Sequence, residues 1–212
     1  MEDILQKLNE EQIKPVTDTE GAVLVLAGAG SGKTRVLTSR IAYLIQVKGV
    51  YPSSILAITF TNKAAKEMRE RLSVMVDGAA SMWICTIHSM CVRILRMYAD
   101  RLGFTQNFSI YSETERTAVI KRAFAECGYE DEKLLKNVKF HIANAKMLGL
   151  EPRDYQAENA GQRNIDEVTR VYSAYCDHLK KNNALDFDDL LTQTLRLLET
   201  DKDALEYLSG KF

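Results

Sequence analysis

Residues 22–34, AVLVLAGAGSGKT, carry an apolar run into a glycine-rich turn closed by Lys33 and Thr34, a pattern suited to holding nucleotide phosphates. A phosphate chain needs many donors in a small concave space. Gly28, Gly30 and Gly32 let successive backbone N–H groups of Ala29, Gly30, Ser31 and Gly32 point inward where side chains would block them. Lys33 adds a mobile positive charge for the outer phosphates, and the Thr34 hydroxyl can hold magnesium at the mouth of the next helix. Ala27 stands at the first position of the eight-residue phosphate-loop pattern, where glycine is usual; that position mainly closes the turn.

Other residues could extend this chemistry. Gln12, in the stretch Leu8–Gln12 ahead of the phosphate loop, offers a donor and an acceptor on one plane, as reading the edge of adenine requires. Arg35 is close enough to the loop to add charge or stack on a base, while Arg35 and Arg40 alike suit a solvent-facing helix side. Phe60, Thr61, Asn62 and Lys63 end a second apolar run. Hydroxyls, an amide and a new helix terminus there can hold phosphodiester oxygens beside an exposed ring, or Phe60 can be buried and the polar residues serve as a cap. Thr86, His88 and Ser89 repeat the arrangement after a third run. No nucleophile or orienting carboxylate accompanies His88, so it reads as a phosphate contact or a core histidine, not a catalyst.

These groups must be positioned by an α/β scaffold. Val23–Ala27, Ile55–Phe60 and Met82–Thr86 read as short parallel strands, each followed by a helix: Thr34–Val47, with apolar Val36, Leu37, Ile41, Leu44 and Ile45; then Lys63–Val76, capped by Asn62; then a helix after Thr86. After about residue 104 the pattern becomes helical throughout. Ser112 with Glu115 predicts a capping box for a helix to about Glu126, stopped by Gly128. Further helices are predicted over 134–148 and 165–181, separated by a loop over 149–164. Asp186 is placed to cap a helix whose apolar side holds Phe187, Leu190, Leu191, Leu195 and Leu198; a last short helix covers 203–212. The three carboxylates of Asp186, Asp188 and Asp189 suit capping and domain-junction contacts better than a metal. Lys133, Lys136 and Lys139 form a basic face open to either duplex phosphate or solvent.

Composition narrows the partners. With 212 residues and a formal charge of -1, the chain can bury a real core, and a nucleic-acid site must be a local groove on a neutral surface. Cys85, Cys91, Cys127 and Cys176 have no paired zinc spacing, and Cys85, His88 and Cys91 lack the second ligand pair a metal needs; reduced thiols are expected. No signal segment or membrane-length apolar run is present, so a cytoplasmic protein without membrane partners is expected.

Taken together, LNEEQ (8–12), AGAGSGKT (27–34), TFTNKAAKEM (59–68), TIHS (86–89) and LDFDDLL (185–191) resemble, in content and order, the motifs of superfamily 1A DNA helicases, the UvrD/Rep/PcrA group. The resemblance implies an incomplete RecA-like P-loop NTPase sheet with an inserted all-helical subdomain: the first part of domain 1A over 1–107, the insertion 1B over 108–184, and a return to 1A over 185–212, ending before the Walker B strand. It implies that Gln12 reads adenine, that Lys33 and Thr34 grip the phosphates of ATP and Mg2+, and that Phe60, Thr61, Asn62, His88 and Ser89 lie along single-stranded DNA. The complete enzyme would move 3′ to 5′ on ATP and open duplex or junction DNA, with repair or replication proteins as partners. No strand ending in Asp-Glu is found, so the 212-residue chain itself is expected to bind ATP and DNA weakly, not to unwind, and to self-associate through an uncovered sheet edge. A nuclease-coupled recombination helicase and a non-enzymatic nucleotide-binding module remain the alternatives.

Overall fold

The computed structural model describes the backbone of residues 2–212 and the side chains from Ile4 onward. Two compact units form, one running to Met90 and including Tyr207–Phe212, the other spanning Cys91–Glu206.

The first unit holds α1 (Glu2–Leu5), α2 (Glu10–Thr17), α3 (Lys33–Gln46), β1 (Leu56–Thr59), α4 (Asn62–Ser73) and β2 (Trp83–Thr86), and α5 (Ile87–Met97) begins in it. β1 and β2 pair in parallel, from Leu56 opposite Trp83 to Thr59 opposite Thr86, so their carboxyl ends are level. Ile41 and Ala42 of α3, Ala65, Met68 and Leu72 of α4, and Ala57 and Ile84 of the strands build one buried cluster, the layer of helix on parallel sheet that strand–helix repeats produce. At the chain end Phe212 meets Trp83 edge-on, ring centroids 5.1 Å apart.

Two expectations for this unit are corrected. Val23–Ala27 is not a strand: it joins no ladder and has no regular structure, and Leu24 and Leu26 are 85% and 88% exposed. Its composition is that of a buried strand, but a ladder requires a partner, and β1 and β2 form a two-stranded sheet that it does not join. The cap of α4 is Thr61, whose hydroxyl accepts from the Ala64 N–H at 3.1 Å, with Asn62 already helical.

The second unit holds β3 (Ser109–Ile110), α6 (Glu113–Glu126), α7 (Glu132–Met147), α8 (Pro152–Glu158), α9 (Ile165–Lys181), β4 (Ala184–Leu185) and α10 (Phe187–Thr200), and α11 (Lys202–Lys211) begins in it. The Ser112–Glu115 capping box opens α6, and Gly128 follows its end at φ 81°, a left-handed turn glycine accepts without strain. Val138 and Ile142 of α7, Tyr155 of α8, and Val168, Val171, Tyr172 and Tyr175 of α9 form its core.

Three readings change here. The region is not purely helical, because β3 and β4 pair in parallel, Ser109 opposite Ala184 and Ile110 opposite Leu185. Such two-residue strands are too short to show a period. The expected loop over 149–164 contains α8, started by Pro152 at its first helical position. On α10 the buried positions are Asp189, Leu190, Thr194 and Leu197, while Phe187, Leu191 and Leu195 are exposed, so the helix is rotated from the predicted apolar face.

Candidate nucleotide and nucleic-acid site

The phosphate loop is built as its sequence requires. Gly30 and Gly32 adopt φ of 77° and 82°, a left-handed region that side chains avoid, and Gly32 leads directly into α3 at Lys33. The Lys33 ammonium reaches back across the loop, donating to the Gly28 carbonyl at 2.7 Å and the Ala27 carbonyl at 3.3 Å. Ser31 closes the turn by donating its hydroxyl to the Gly28 carbonyl at 2.8 Å. Thr34 is exposed in the first turn of α3, where the helix dipole favours anions. Lysine, glycine backbone and helix terminus therefore fit a polyphosphate, and the Thr34 hydroxyl fits a magnesium ion shared with it; bound there, the ion would neutralise phosphate charge.

Gln12 belongs to the same construction. Asn9 and Gln12 form a capping box at the start of α2, with the Gln12 carbonyl oxygen accepting from the Asn9 N–H. The Gln12 amide nitrogen donates to the Ser31 carbonyl at 2.9 Å, tying α2 to the phosphate loop. A Cβ on Gly32 would stand 2.9 Å from that nitrogen and would push the Gln12 amide off the Ser31 carbonyl, while the positive φ is what calls for glycine. A cavity of about 530 Å³ opens beside these groups, lined among others by Gln12, Pro15, Ala27, Gly28, Lys33 and Arg40.

Of the two arginines of α3, Arg40 departs from the solvent-facing reading. Arg35 is exposed, with its guanidinium 3.5 Å from the Lys7 carbonyl. Arg40 is half-buried and donates to the carbonyls of Pro15 and Asp18, a role that a surface charge reading misses. No local sequence signal announces it, because the acceptors are main-chain atoms more than twenty residues away.

At the level carboxyl ends of β1 and β2 the structure brings together the other candidate residues. Phe60 is 99% exposed, which removes the buried-core alternative. Thr61 caps α4, and Asn62 and Lys63 are exposed in its first turn. Across the strand pair, Thr86 is buried and its hydroxyl lies 2.9 Å from that of Ser89, while Ser89 remains exposed and His88 half-buried at the start of α5. Strand ends, an exposed ring and two helix starts thus occupy one edge of the sheet, an arrangement able to hold a backbone phosphate beside a base.

In the second unit, Asp186 and Asp189 are a structural charge cluster. Asp186 caps α10 and its carboxylate accepts from the Tyr175 hydroxyl at 2.7 Å. The buried Lys146 ammonium lies 3.0 Å from Asp186 and 2.6 Å from Asp189, with Arg116 3.3 Å from Asp188. Burial disfavours the Lys146 charge, yet Asp189 and Asp186 more than offset it and its pKa is raised; burial likewise opposes Asp186, whose pKa Lys146 and Tyr175 lower. Asp189 is pushed up to about 6 by burial. Among the described residues no group of three or more His, Cys, Asp or Glu side chains is arranged for a metal ion. None of the four cysteines is in a disulfide, and no helix of the described residues is long and apolar enough to cross a membrane.

Residues 8–212 match the model of the UvrD/REP helicase N-terminal domain. The chain is 47% identical over its whole length to the ATP-dependent DNA helicase PcrA of Staphylococcus aureus, strain Mu50, and 45% identical to the protein of that name from Staphylococcus epidermidis, strain ATCC 12228. It spans 29% of the length of each. With the fold mixed α/β, its sheets parallel, and nearly every residue within the match, the chain belongs to the UvrD/REP helicase family as an N-terminal region.

Proposed function

We propose that the chain is the ATP- and single-stranded-DNA-binding part of an ATP-dependent 3′ to 5′ DNA helicase acting in repair or replication. The observation that carries the reading is the single construction joining Gly28–Thr34 to Gln12: a backbone cradle and ammonium for a triphosphate, with an adenine-reading amide hydrogen-bonded to its rim. Lys33 grips the phosphates and Thr34 the magnesium ion, Ala29–Gly32 supply N–H donors, and Arg35 adds charge. Family membership and motif order support reading the chain as RecA-like, with domain 1A over 1–107 and 185–212 and insertion 1B over 108–184.

On the same unit, Phe60 offers a stacking face, and Thr61, Asn62, Lys63, Thr86, His88 and Ser89 supply phosphate contacts at the level strand ends.

Equilibrium binding of MgATP and of a labelled thymidine oligonucleotide to the wild type, Lys33→Ala and Phe60→Ala tests this. Lys33→Ala loses ATP and keeps the oligonucleotide; Phe60→Ala does the reverse. An ATP affinity insensitive to Lys33, or an oligonucleotide affinity insensitive to Phe60, contradicts the assignment.

A further inference from the structure

We propose that Arg40 is a positioning residue for base recognition, fixing the helix that carries Gln12 in register with the helix that carries Lys33. The proposal rests on the adenine-reading role given to Gln12 above.

α2 cannot hold its own place. It has eight residues, and Pro15 inside it has no N–H to donate to the Glu11 carbonyl. A helix this short is not stable alone, so what it docks on sets its position. It docks on α3 and on the phosphate loop leading into it through three ties. At the amino ends the Gln12 amide donates to the Ser31 carbonyl at 2.9 Å. Near the carboxyl end Val16, fully buried, packs with Leu8 and with Val36 of α3. At the carboxyl end Arg40 donates to the Pro15 and Asp18 carbonyls.

These ties differ in what they specify. Apolar contact is non-directional and permits sliding, whereas a guanidinium on two carbonyls is charge-assisted and directional. The carbonyls at the end of α2 also carry the negative pole of its dipole, which a cation complements. Arg40 lies seven residues beyond Lys33, about two turns or roughly 10 Å along the same rigid helix. The amide of Gln12 is thereby referenced to the phosphate loop at both ends of α2.

Valence counting shows why register matters. A glutamine amide has two donors and two acceptor lone pairs. Gln12 spends one acceptor on the Asn9 N–H and one donor on the Ser31 carbonyl, leaving one of each. One donor and one acceptor suit the adjacent acceptor and amino donor of adenine, and oppose the carbonyl that guanine presents at that edge. Such paired recognition tolerates displacements of only about 0.5 Å.

The test measures dissociation constants for MgATP, MgGTP and inorganic tripolyphosphate with the wild type, Gln12→Ala, Arg40→Ala, Arg40→Lys and the double alanine variant. The wild type is expected to prefer ATP over GTP by about tenfold or more, the size of one well-made hydrogen-bond difference. Arg40→Ala brings that ratio to within about twofold of the Gln12→Ala ratio, with tripolyphosphate affinity changed less than about twofold and no further loss in the double variant. Arg40→Lys, which keeps the charge but not the planar guanidinium whose Nη1 serves both carbonyls, gives an intermediate ratio and carries the test if the alanine variant does not fold. A wild-type ratio in both Arg40 variants overturns the proposal. So does parallel weakening of all three ligands, which would mean that Arg40 touches phosphate directly or only supports the fold. If Gln12→Ala itself leaves the ratio unchanged, the adenine reading fails, and this inference with it.

Discussion

Replacing Lys146 by methionine removes the one fully buried cation of the second unit while keeping a flexible chain of similar length. Its ammonium lies 2.6 Å from Asp189 and 3.0 Å from Asp186, and the lysine and Asp186 side chains are only 4% and 1% exposed. At about 3 Å and an effective dielectric near 20, each contact corresponds to about 5 kcal/mol of attraction. Sparing the ammonium its desolvation offsets part of this, and cutting one member of a buried cluster costs about 3–5 kcal/mol. Arg116, still 3.7 Å from Asp186, places the loss near the lower end. Urea unfolding followed by far-UV circular dichroism should show a midpoint about 1–3 M lower.

The pH dependence of that loss has a definite sign. Asp189, already pushed up to about 6 by burial, rises further above its unfolded value once Lys146 no longer lowers it. Groups raised in this way contribute stability below the unfolded pKa and lose it as pH rises through the folded pKa. The deficit of Lys146→Met is therefore largest near pH 7 and shrinks as the pH falls from about 6 toward 4. A deficit under about 1 kcal/mol at neutral pH, or one that does not shrink in acid, refutes the ionic account of the cluster.

Other outcomes are expected. His141 is buried with its ring 2.8 Å from the Tyr155 hydroxyl, and burial lowers its pKa below 6.5; as pH falls through about 6.5 the unfolded chain takes the proton first, so urea titrations should show the wild type losing stability relative to His141→Gln. An identical pH slope in both proteins would exclude that role. Phe60→Ala should weaken single-stranded DNA by about 5- to 150-fold, the range for one base stacked on an aromatic ring, read by fluorescence anisotropy. Leu24→Lys with Leu26→Lys should abolish concentration-dependent self-association in sedimentation velocity, because these exposed side chains flank a backbone without a ladder. A wild type that stays monomeric at high concentration would remove the premise.

What could be read from sequence follows the range of the interactions involved. The phosphate loop, the Ser112 and Asp186 caps and the α9 core pattern are local, set by residues within one or two turns of each other, and the structure reproduces them. Val23–Ala27 misled because strand composition is local but a ladder is not. β3 and β4 were invisible because two residues carry no period, although Asn183, at φ 47°, marks the turn before β4. The rotation of α10 arose because polar Asp189 and Thr194 are buried on ionic and backbone partners, Lys146 and the Leu190 carbonyl, that hydropathy cannot represent. At the site, Lys33, Thr34 and Gln12 were legible through motif spacing, whereas Arg40 acts on carbonyls whose position only the packed pair of α2 and α3 defines.

The central claim is that the backbone of residues 29–34 cradles a triphosphate. Residue-resolved amide hydrogen exchange of the 212-residue chain, with and without MgATP, measures this at the atoms concerned. Slowed exchange at Ala29–Thr34 on adding MgATP, absent in Lys33→Ala, is the predicted result. ATP binding that leaves these amides unchanged and protects another segment instead would contradict it.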